Sequence, residues 1–260
     1  MARAAQVRWH LAALALTSLV AGVAGCQNAD FRGTLSEAHF FDGDGVGTML
    51  LVMRGGRRAD SWRLDLVQLA TGKRLLRQAL DGVSVSTTYH DAAKICLQSS
   101  IGVECRSTKT LQVMPGETAT AQPEPRARQT TVLLSDGSEL HLTNSDGLRR
   151  SNTAHTRYTS IEPAWKNARF AVDPCRHDAV RLTPESYVLI DEITDGTGKH
   201  AEVLRIGPDG HRIWTQRLPF SEVEASRLDA QRLILVFGGV EQSAVALAVD
   251  DGHQLWRYPL

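Results

Sequence analysis

The chain has no excess of charge of either sign. It contains 29 lysine and arginine residues and 29 aspartate and glutamate residues among 260. Residues 1–25 hold two of the basic residues and none of the acidic ones, so residues 26–260 carry 27 minus 29, or a net charge of about −2 with histidine neutral. Nucleic-acid binding needs a basic face. The charge balance therefore predicts that nucleic acid is not a partner.

Long apolar runs and the short motifs of common enzymes are also lacking. A membrane-spanning helix takes about 20 apolar residues, and no run after residue 25 approaches that length. The chain has no His-Glu-x-x-His zinc motif, no Gly-x-Ser-x-Gly elbow and no phosphate loop. Asp42 and Asp44 begin a calcium-loop pattern that Val46 does not continue, and Cys175 and His177 offer only two zinc ligands. We therefore predict no metal site, no cofactor and no enzymatic activity.

The first 26 residues have the pattern of an export signal that ends at a cysteine. Arg3 and Arg8 precede an apolar run over 11–25 that is short for a membrane span. The following residues, Val23–Cys26 (VAGC), resemble the bacterial lipobox, in which small residues lead into a cysteine that is acylated and becomes the mature N-terminus. The resemblance implies a signal peptide over 1–25 and lipidation of Cys26. The alternatives are an ordinary cleaved signal, with Cys26 an ordinary cysteine, and a membrane anchor that stays attached.

A lipid on Cys26 would hold the protein at a membrane, because each buried CH₂ group contributes about 0.8 kcal/mol. In lipoproteins an aspartate after the cysteine tends to retain the protein at the inner membrane, and here Gln27 takes that place. The resemblance therefore implies the periplasmic face of a bacterial outer membrane. We expect a lipid anchor and tether over 26–47 and a folded domain over 48–260.

Two later cysteines, Cys96 and Cys105, can meet across a hairpin. If residues 99–102 form its loop, the two cysteines lie opposite one another. Directly opposed residues have Cβ atoms about 4.5–5.5 Å apart, slightly longer than a disulfide prefers. A non-hydrogen-bonded pair would be close enough. The pattern is compatible with a disulfide in an oxidising compartment and also with two reduced, packed cysteines.

Three stretches share one pattern, "LATGKRLLRQAL", "GPDGHRIWTQRL" and "VDDGHQLWRYPL". They align on a glycine that follows a short strand, and a large apolar residue stands four positions after that glycine. The glycines are Gly72, Gly210 and Gly252, and the residues four positions on are Leu76, Trp214 and Trp256. Glycine favours tight turns because it adopts positive φ at little cost. Each stretch therefore predicts a hairpin.

The spacing of the glycines predicts further hairpins of the same kind. Gly210 and Gly252 are 42 residues apart, and Gly72 and Gly210 are 138 apart, or three steps of 46. Propeller blades take about 40–45 residues. Two degenerate units should therefore lie between Gly72 and Gly210, and residues 94–113 and 130–143 are the candidates.

The pattern of strand, turn glycine and tryptophan resembles the repeat of PQQ-like β-propellers. The resemblance implies an all-β propeller of about five or six four-stranded blades, in which Trp214 and Trp256 pack between neighbouring blades. Residues 114–130 are expected to form a mobile loop and residues 159–180 an insertion. The alternative is a β-sandwich with coincidental hairpins. The resemblance does not imply bound PQQ, because the chain lacks the adjacent cysteines that many such enzymes use.

Fold alone does not decide function. Together these patterns predict an envelope lipoprotein that binds an unidentified envelope protein and has no catalysis of its own. The alternative is an envelope enzyme with its site in the propeller channel or on the 159–180 loop. A final strand over 253–258 that pairs near residues 47–53 would join the two ends of the ring.

Overall fold

All regular elements in the described part of the chain are β-strands. The computed structural model describes residues 33–41, 47–55, 61–80, 85–99, 102–117, 131–134, 136–143, 147–162, 169–173, 178–179, 186–207, 209, 211–239 and 241–260. No helix among these residues is long and apolar enough to cross a bilayer.

In the described part of the chain the strands form five antiparallel sheets of three or four strands, which follow one another in sequence, and one separate two-stranded hairpin. Sheet 1 contains β1 (Gly33–Phe41), β2 (Thr48–Gly55), β3 (Trp62–Gln68) and β4 (Arg74–Leu80). Sheet 2 contains β5 (Ser86–His90), β6 (Lys94–Ser99) and β7 (Gly102–Ser107). Sheet 3 contains β8 (Thr131–Leu133), β9 (Glu139–Thr143), β10 (Gly147–Ser151) and β11 (Tyr158–Glu162).

The last two sheets are built in the same way. Sheet 4 contains β12 (Arg169–Phe170), β15 (Tyr187–Asp195), β16 (Gly198–Ile206) and β17 (Arg212–Leu218). Between its first two strands lies a small hairpin of β13 (Val172–Asp173) and β14 (Asp178–Ala179). Sheet 5 contains β18 (Val223–Leu228), β19 (Arg232–Phe237), β20 (Ser243–Ala248) and β21 (Gln254–Pro259).

The middle strands of sheets 1, 4 and 5 are apolar on both faces because each of these sheets packs between two others. In β2, the side chains of Met49 and Leu51 lie in the core shared with sheet 5, and those of Leu50 and Val52 lie in the core shared with sheet 2. All four are fully buried. Burial on both faces explains why the strand has a continuous apolar run where a half-buried strand would alternate.

The sheets pack face to face, and the last sheet packs on the first. Shared cores join sheet 2 to sheet 1, sheet 1 to sheet 5, sheet 5 to sheet 4 and sheet 4 to sheet 3. Among the described residues, no such core joins sheet 2 to sheet 3. Successive four-stranded meanders packed in this way form a β-propeller. The predicted all-β propeller is confirmed, with five sheets in the described part of the chain.

Three predictions about the boundaries need correction. The segment assigned to the tether contains β1, which pairs with β2 along its whole length. The segment 159–180, predicted as an insertion, contains most of β11 and all of β12, β13 and β14. The final strand pairs with β20 of its own sheet and reaches sheet 1 only through side chains. Of the loop predicted at 114–130, residues 118–130 lie outside the described residues.

Candidate functional site

The tryptophans and glycines of the repeat meet at the joints between sheets. Trp256 of sheet 5 donates from Nε1 to the carbonyl oxygen of Leu69 in sheet 1 at 3.0 Å. Its ring lies against Gly72, where an added Cβ would be 2.6 Å from Cδ2 of the ring. Gly72 has a φ of +66°, which glycine adopts without the strain of other residues. The glycine therefore permits both the left-handed backbone of its own turn and the close approach of the neighbouring sheet's tryptophan.

The same contact recurs one joint earlier. Trp214 of sheet 4 donates from Nε1 to the carbonyl oxygen of Val249 at 2.7 Å. A Cβ at Gly252 would lie 2.7 Å from this ring. Each tryptophan thus meets the turn glycine of the next sheet along the ring. Gly210 lies outside the described residues.

Sheet 2 has the same turn with a leucine at the glycine position. The amide of Leu111 donates to the carbonyl of Ser107, as that of Gly72 donates to Gln68. Leu111 has a φ of +56° and is buried in the core between sheets 1 and 2. Leu76, the counterpart of the tryptophans in sheet 1, is 36% exposed. Between sheets 1 and 2, Leu111 therefore occupies the space that Trp214 and Trp256 occupy at their own joints.

The structure joins Cys96 and Cys105 in a disulfide within sheet 2. The register places them directly opposite each other, with Gln98 opposite Val103 and Ser99 opposite Gly102. The carbonyl oxygen of Cys105 accepts a hydrogen bond from the amide of Met114, so it points away from β6. The cysteines therefore form a non-hydrogen-bonded pair, the type whose side chains lie closest. Cys26, the predicted lipidation site, lies outside the described residues.

A buried ion cluster fastens sheet 5 to sheet 1. Asp65 is fully buried and accepts hydrogen bonds from Arg77 at 2.7 and 2.9 Å. The hydroxyl of Tyr258, on the last strand, donates to the same carboxylate at 2.9 Å, and Nε of Arg63 lies 3.1 Å from it. Burial, and then the negative charge of Asp65, raise the pKa of Tyr258. The cluster lies across the joint and has a structural role.

Polar side chains that can act as acids or bases meet between β1 and β5. His39 Nε2 lies 2.9 Å from Oε2 of Glu37 and 2.9 Å from Oγ1 of Thr87. The amide of Thr87 donates to Glu37 at 3.1 Å, and the ring of His90 lies 4.7 Å from that of His39. Burial alone would raise the pKa of Glu37, but the hydrogen bonds from His39 and Thr87 outweigh it and lower that pKa. Burial, and then His39, lower the pKa of His90.

This cluster, Glu37, His39, Thr87 and His90, lacks the geometry of an activated nucleophile. A Ser-His-Asp type of relay places the carboxylate on one ring nitrogen and the hydroxyl on the other. Here the carboxylate and the hydroxyl both lie at Nε2 of His39. Among the described residues, no group of three or more His, Cys, Asp or Glu side chains is placed to hold a metal ion. The cluster's contacts join sheets 1 and 2.

A different feature repeats on the outer strands of sheets 4, 5 and 1. In each, the register shifts one residue before the tryptophan position, which leaves one residue without a partner in a β-bulge. The bulge residues are Leu75, Ile213 and Leu255, which are 44%, 47% and 42% exposed. Bulges commonly re-aim a side chain. We call these three residues the apolar rim.

The apolar rim lies on strands of one charge sign. Arginine occurs twice in β4, twice in β17 and once in β21, and these strands contain no aspartate or glutamate. All three rim residues follow directly on the turn between the third and fourth strands, so they lie at the same end of their sheets. Sheets 4, 5 and 1 are successive in the ring. The rim residues are therefore exposed apolar side chains at one end of three successive sheets, on strands whose only charged residues are arginines.

The sequence analysis singled out the position four residues after each turn glycine, and each rim residue stands one position earlier. Side chains with a period of two would place positions three and four after the glycine on opposite faces. The bulge was not predicted, because no sequence signal marked it. The cluster around His39 was missed because β1 had been assigned to the tether.

Comparisons with known proteins identify no family for this chain. No family model matches it, and no curated protein does either. Solved structures with similar arrangements include the uncharacterized protein lmo1340 from Listeria monocytogenes EGD-e, at 12% identity and a TM-score of 0.34, covering 85% of this chain and 68% of that one.

BamB from Moraxella catarrhalis is similar at 13% identity and a TM-score of 0.29, covering 84% of this chain and 62% of BamB. Hsv2 from Kluyveromyces lactis is similar at 12% identity and a TM-score of 0.30, covering 87% of this chain and 64% of Hsv2. The chain thus spans less than two thirds of either protein. The propeller assignment follows from the arrangement of the sheets themselves.

Proposed function

We propose that this protein is a bacterial envelope lipoprotein, anchored at the periplasmic face of the outer membrane, whose propeller binds another envelope protein without catalysis. The observation that carries the proposal is the apolar rim. Three bulges in successive sheets turn Leu75, Ile213 and Leu255 towards solvent, although Ile213 and Leu255 each stand beside a tryptophan that packs into a joint. The three recur at the same end of successive sheets, and a group of exposed apolar residues is a candidate interaction site.

The charge of the outer strands indicates what kind of surface the rim accepts. Arg77 and Arg217 are paired with Asp65 and Asp195. Arg74 and Arg257 are exposed and pair with no carboxylate among the described residues, which favours a partner surface that is apolar at its centre and acidic at its border. The geometry around His39 supports a role other than catalysis, because Thr87 and Glu37 share one ring nitrogen. The lipobox-like residues Val23–Cys26 support the anchor.

The anchor can be tested on the purified mature protein. Mass spectrometry of its N-terminal peptide is expected to show acyl groups on Cys26, because the thiol is the group that a lipobox directs to acylation. Cys26→Ser should leave the protein unacylated and released from membranes by salt, since the remaining chain buries no lipid. A free, unmodified Cys26 thiol in the native protein would refute the anchor.

The rim can be tested by photo-crosslinking in intact envelopes. A benzoyl-phenylalanine at Leu255 or Ile213 is expected to form a discrete crosslink, whereas the same group at Ala79, an exposed position on β4 outside the rim, should not. A triple change of the rim residues to serine should remove the crosslinked complex in pull-downs but alter the free energy of unfolding by less than about 1 kcal/mol. Equal crosslinking at all three positions would contradict a specific surface.

A further inference from the structure

Four polar side chains lie inside the joint between sheets 1 and 2, on the first strand of each sheet. They are Glu37 and His39 of β1 and Thr87 and His90 of β5. His90 lies opposite Ile95, which is in the core that the two sheets share. Phe41, two residues after His39 in β1, is in the same core. Side chains two residues apart in a strand lie on the same face, so the polar side chains of both strands face this joint.

The hydrogen bonds of these side chains cross from one sheet to the other. The amide of Thr87 donates to the carboxylate of Glu37 at 3.1 Å, and Oγ1 of Thr87 lies 2.9 Å from Nε2 of His39. The same nitrogen lies 2.9 Å from Oε2 of Glu37. Because a carboxylate only accepts, Nε2 carries a hydrogen that is directed at Glu37. The carboxylate is therefore held by one donor from each sheet.

The ring of His90 lies against two aromatic rings of β1. Its centroid is 4.7 Å from that of His39 and 5.8 Å from that of Phe41, which it meets edge to face. Burial, and then His39, lower the pKa of His90, and the opposing effects of Asp91 and Glu37 are smaller. The closed joint therefore favours the neutral form of this ring.

A proton on His90 would find little compensation in its surroundings. Among the described residues, the charged groups that act on it are His39 and Glu37 of sheet 1 and Asp91 of sheet 2. The carboxylate of Asp91 accepts from two amides and a tyrosine hydroxyl of its own sheet. That of Glu37 is held by the two donors described above. The added charge would thus face His39 with both nearby carboxylates already engaged.

Sheet 2 can move at this joint without disturbing the other joints. In the described part of the chain, its apolar core is shared with sheet 1 alone, whereas sheet 1 also packs on sheet 5. A charged ring is better hydrated when β5 moves away from β1, and the same movement separates His90 from His39. It breaks no contact among sheets 4, 5 and 1.

We propose that the joint between sheets 1 and 2 is an acid-sensitive latch, in which a proton on His90, facing His39, drives β5 away from β1. The latch is closed while His90 is neutral and Glu37 bridges the two strands. It opens when both histidine rings carry a charge. This inference concerns the fold itself and does not depend on which partner the apolar rim binds.

The direction of the pH effect follows from proton uptake. A histidine that resists protonation in the closed joint takes up a proton when the joint opens, so acidification below about pH 6.5 favours the open form. The pKa of Glu37 is lowered in the closed joint, so its carboxylate stays charged over this range. Its contribution to closure is present above about pH 4.5 and is lost only below that value.

The amide of Thr87 reports on the latch directly, because its hydrogen bond to Glu37 exists only while the joint is closed. Hydrogen exchange followed by NMR gives its protection factor, the ratio of the intrinsic to the measured exchange rate at the same pH. Between pH 7.5 and 5.0 this factor is expected to fall about tenfold. The limit is about thirtyfold, which is what one histidine with an ordinary pKa of about 6.5 in the open joint supplies.

The amide of Leu35 is the matched control. It donates to Oε1 of Gln242 at 2.7 Å, so it also bonds to a side chain across a joint, here between sheets 1 and 5. Neither partner titrates. The protection factor of Leu35 should therefore change by less than about twofold over the same pH range.

Three variants identify the group that titrates. His90→Gln should hold the Thr87 protection factor constant within about twofold between pH 7.5 and 5.0, because glutamine takes up no proton. His39→Gln should make the fall smaller but not remove it, since burial still opposes protonation of His90. His155→Gln alters a histidine that lies 3.3 Å from Glu139 in sheet 3 and should leave the Thr87 profile unchanged.

The unaltered protein provides a further measurement if His90→Gln does not fold. The NMR titration of the His90 ring should have its midpoint below pH 6.5, and the Thr87 protection factor should fall over the same range. A constant protection factor at Thr87 would overturn the proposal. An equal fall at Leu35 would also overturn it, because the whole ring would then loosen in acid. So would a folded His90→Gln variant with the native pH profile.

Discussion

Asp65→Ala is expected to lower the free energy of unfolding by about 3–5 kcal/mol. The carboxylate is fully buried and accepts hydrogen bonds from Arg77 and Tyr258, with Arg63 also in contact. Its removal leaves two guanidinium groups at the joint between sheets 5 and 1 without this counter-ion. Removing one partner of a buried ion pair costs more than the pair contributes, because the remaining charge stays desolvated. Urea denaturation at neutral pH measures the change.

A surface ion pair provides the matched control. Lys199 lies 3.5 Å from Glu222, with side chains 62% and 49% exposed. Lys199→Ala should cost less than about 1 kcal/mol, because water screens such pairs. Tyr258→Phe removes only the hydroxyl contributed by the last strand and should cost about 1 kcal/mol. If Asp65→Ala costs no more than Lys199→Ala, the cluster does not hold the two sheets together.

Gly72→Ala is expected to cost about 3 kcal/mol. A left-handed backbone strains alanine by about 1 kcal/mol, and Gly72 has a φ of +66°. The new Cβ would also lie 2.6 Å from the ring of Trp256, so the ring or the turn must move, which adds about 1–3 kcal/mol. Thermal and urea unfolding of the variant measure the total.

The two contributions to this cost can be separated. Gly137 has a φ of +82°, and no atom of the described residues lies within 4 Å of an added Cβ, so Gly137→Ala should cost only the backbone strain of about 1 kcal/mol. Trp256→Leu should remove the clash at Gly72, so the double variant should be more stable than the sum of the single effects by about 1–2 kcal/mol. Additive effects would show that the ring and the glycine do not interact.

These joints indicate how the ring is fastened. The tryptophan contacts lie at the joints between sheets 4 and 5 and between sheets 5 and 1. Between sheets 1 and 2, Leu111 occupies the glycine position, with a left-handed backbone that leucine rarely adopts. The space between two neighbouring sheets is thus filled either by a tryptophan that packs on a turn glycine or by a buried leucine at the turn itself. This exchange explains why the repeat could not be recognised in sheet 2 from its turn glycine.

Sequence reasoning was most successful where the controlling interactions are local. The hairpin between β6 and β7 has the expected register, because a short loop determines which residues face each other. Along the described part of the chain, sheets 2 and 3 lie between sheets 1 and 4, as the spacing of the glycines indicated. The fold class followed from the same repeat.

The first strand was missed because its pattern is irregular. A register shift between Leu35 and Glu37 interrupts the alternation of β1, so Leu35, Ala38 and Phe40 do not follow a period of two. The strand is recognisable only through its pairing with β2. With β1 assigned to the tether, the contacts of Glu37 and His39 with Thr87 could not be foreseen.

The amino-acid sequence by itself determined the units of this protein. The effects of turn glycines, apolar strands and the two-cysteine hairpin extend over only a few residues. They can therefore be predicted from the neighbouring residues in the sequence. Only the tertiary structure decided which units meet. Trp256 packs on Gly72, and Tyr258 donates a hydrogen bond to Asp65. Bulges turn Leu75, Ile213 and Leu255 outwards. These features depend on packing between sheets far apart in the chain. Such contacts depend on the balance between burial and strain across several sheets, and no local sequence pattern determines that balance.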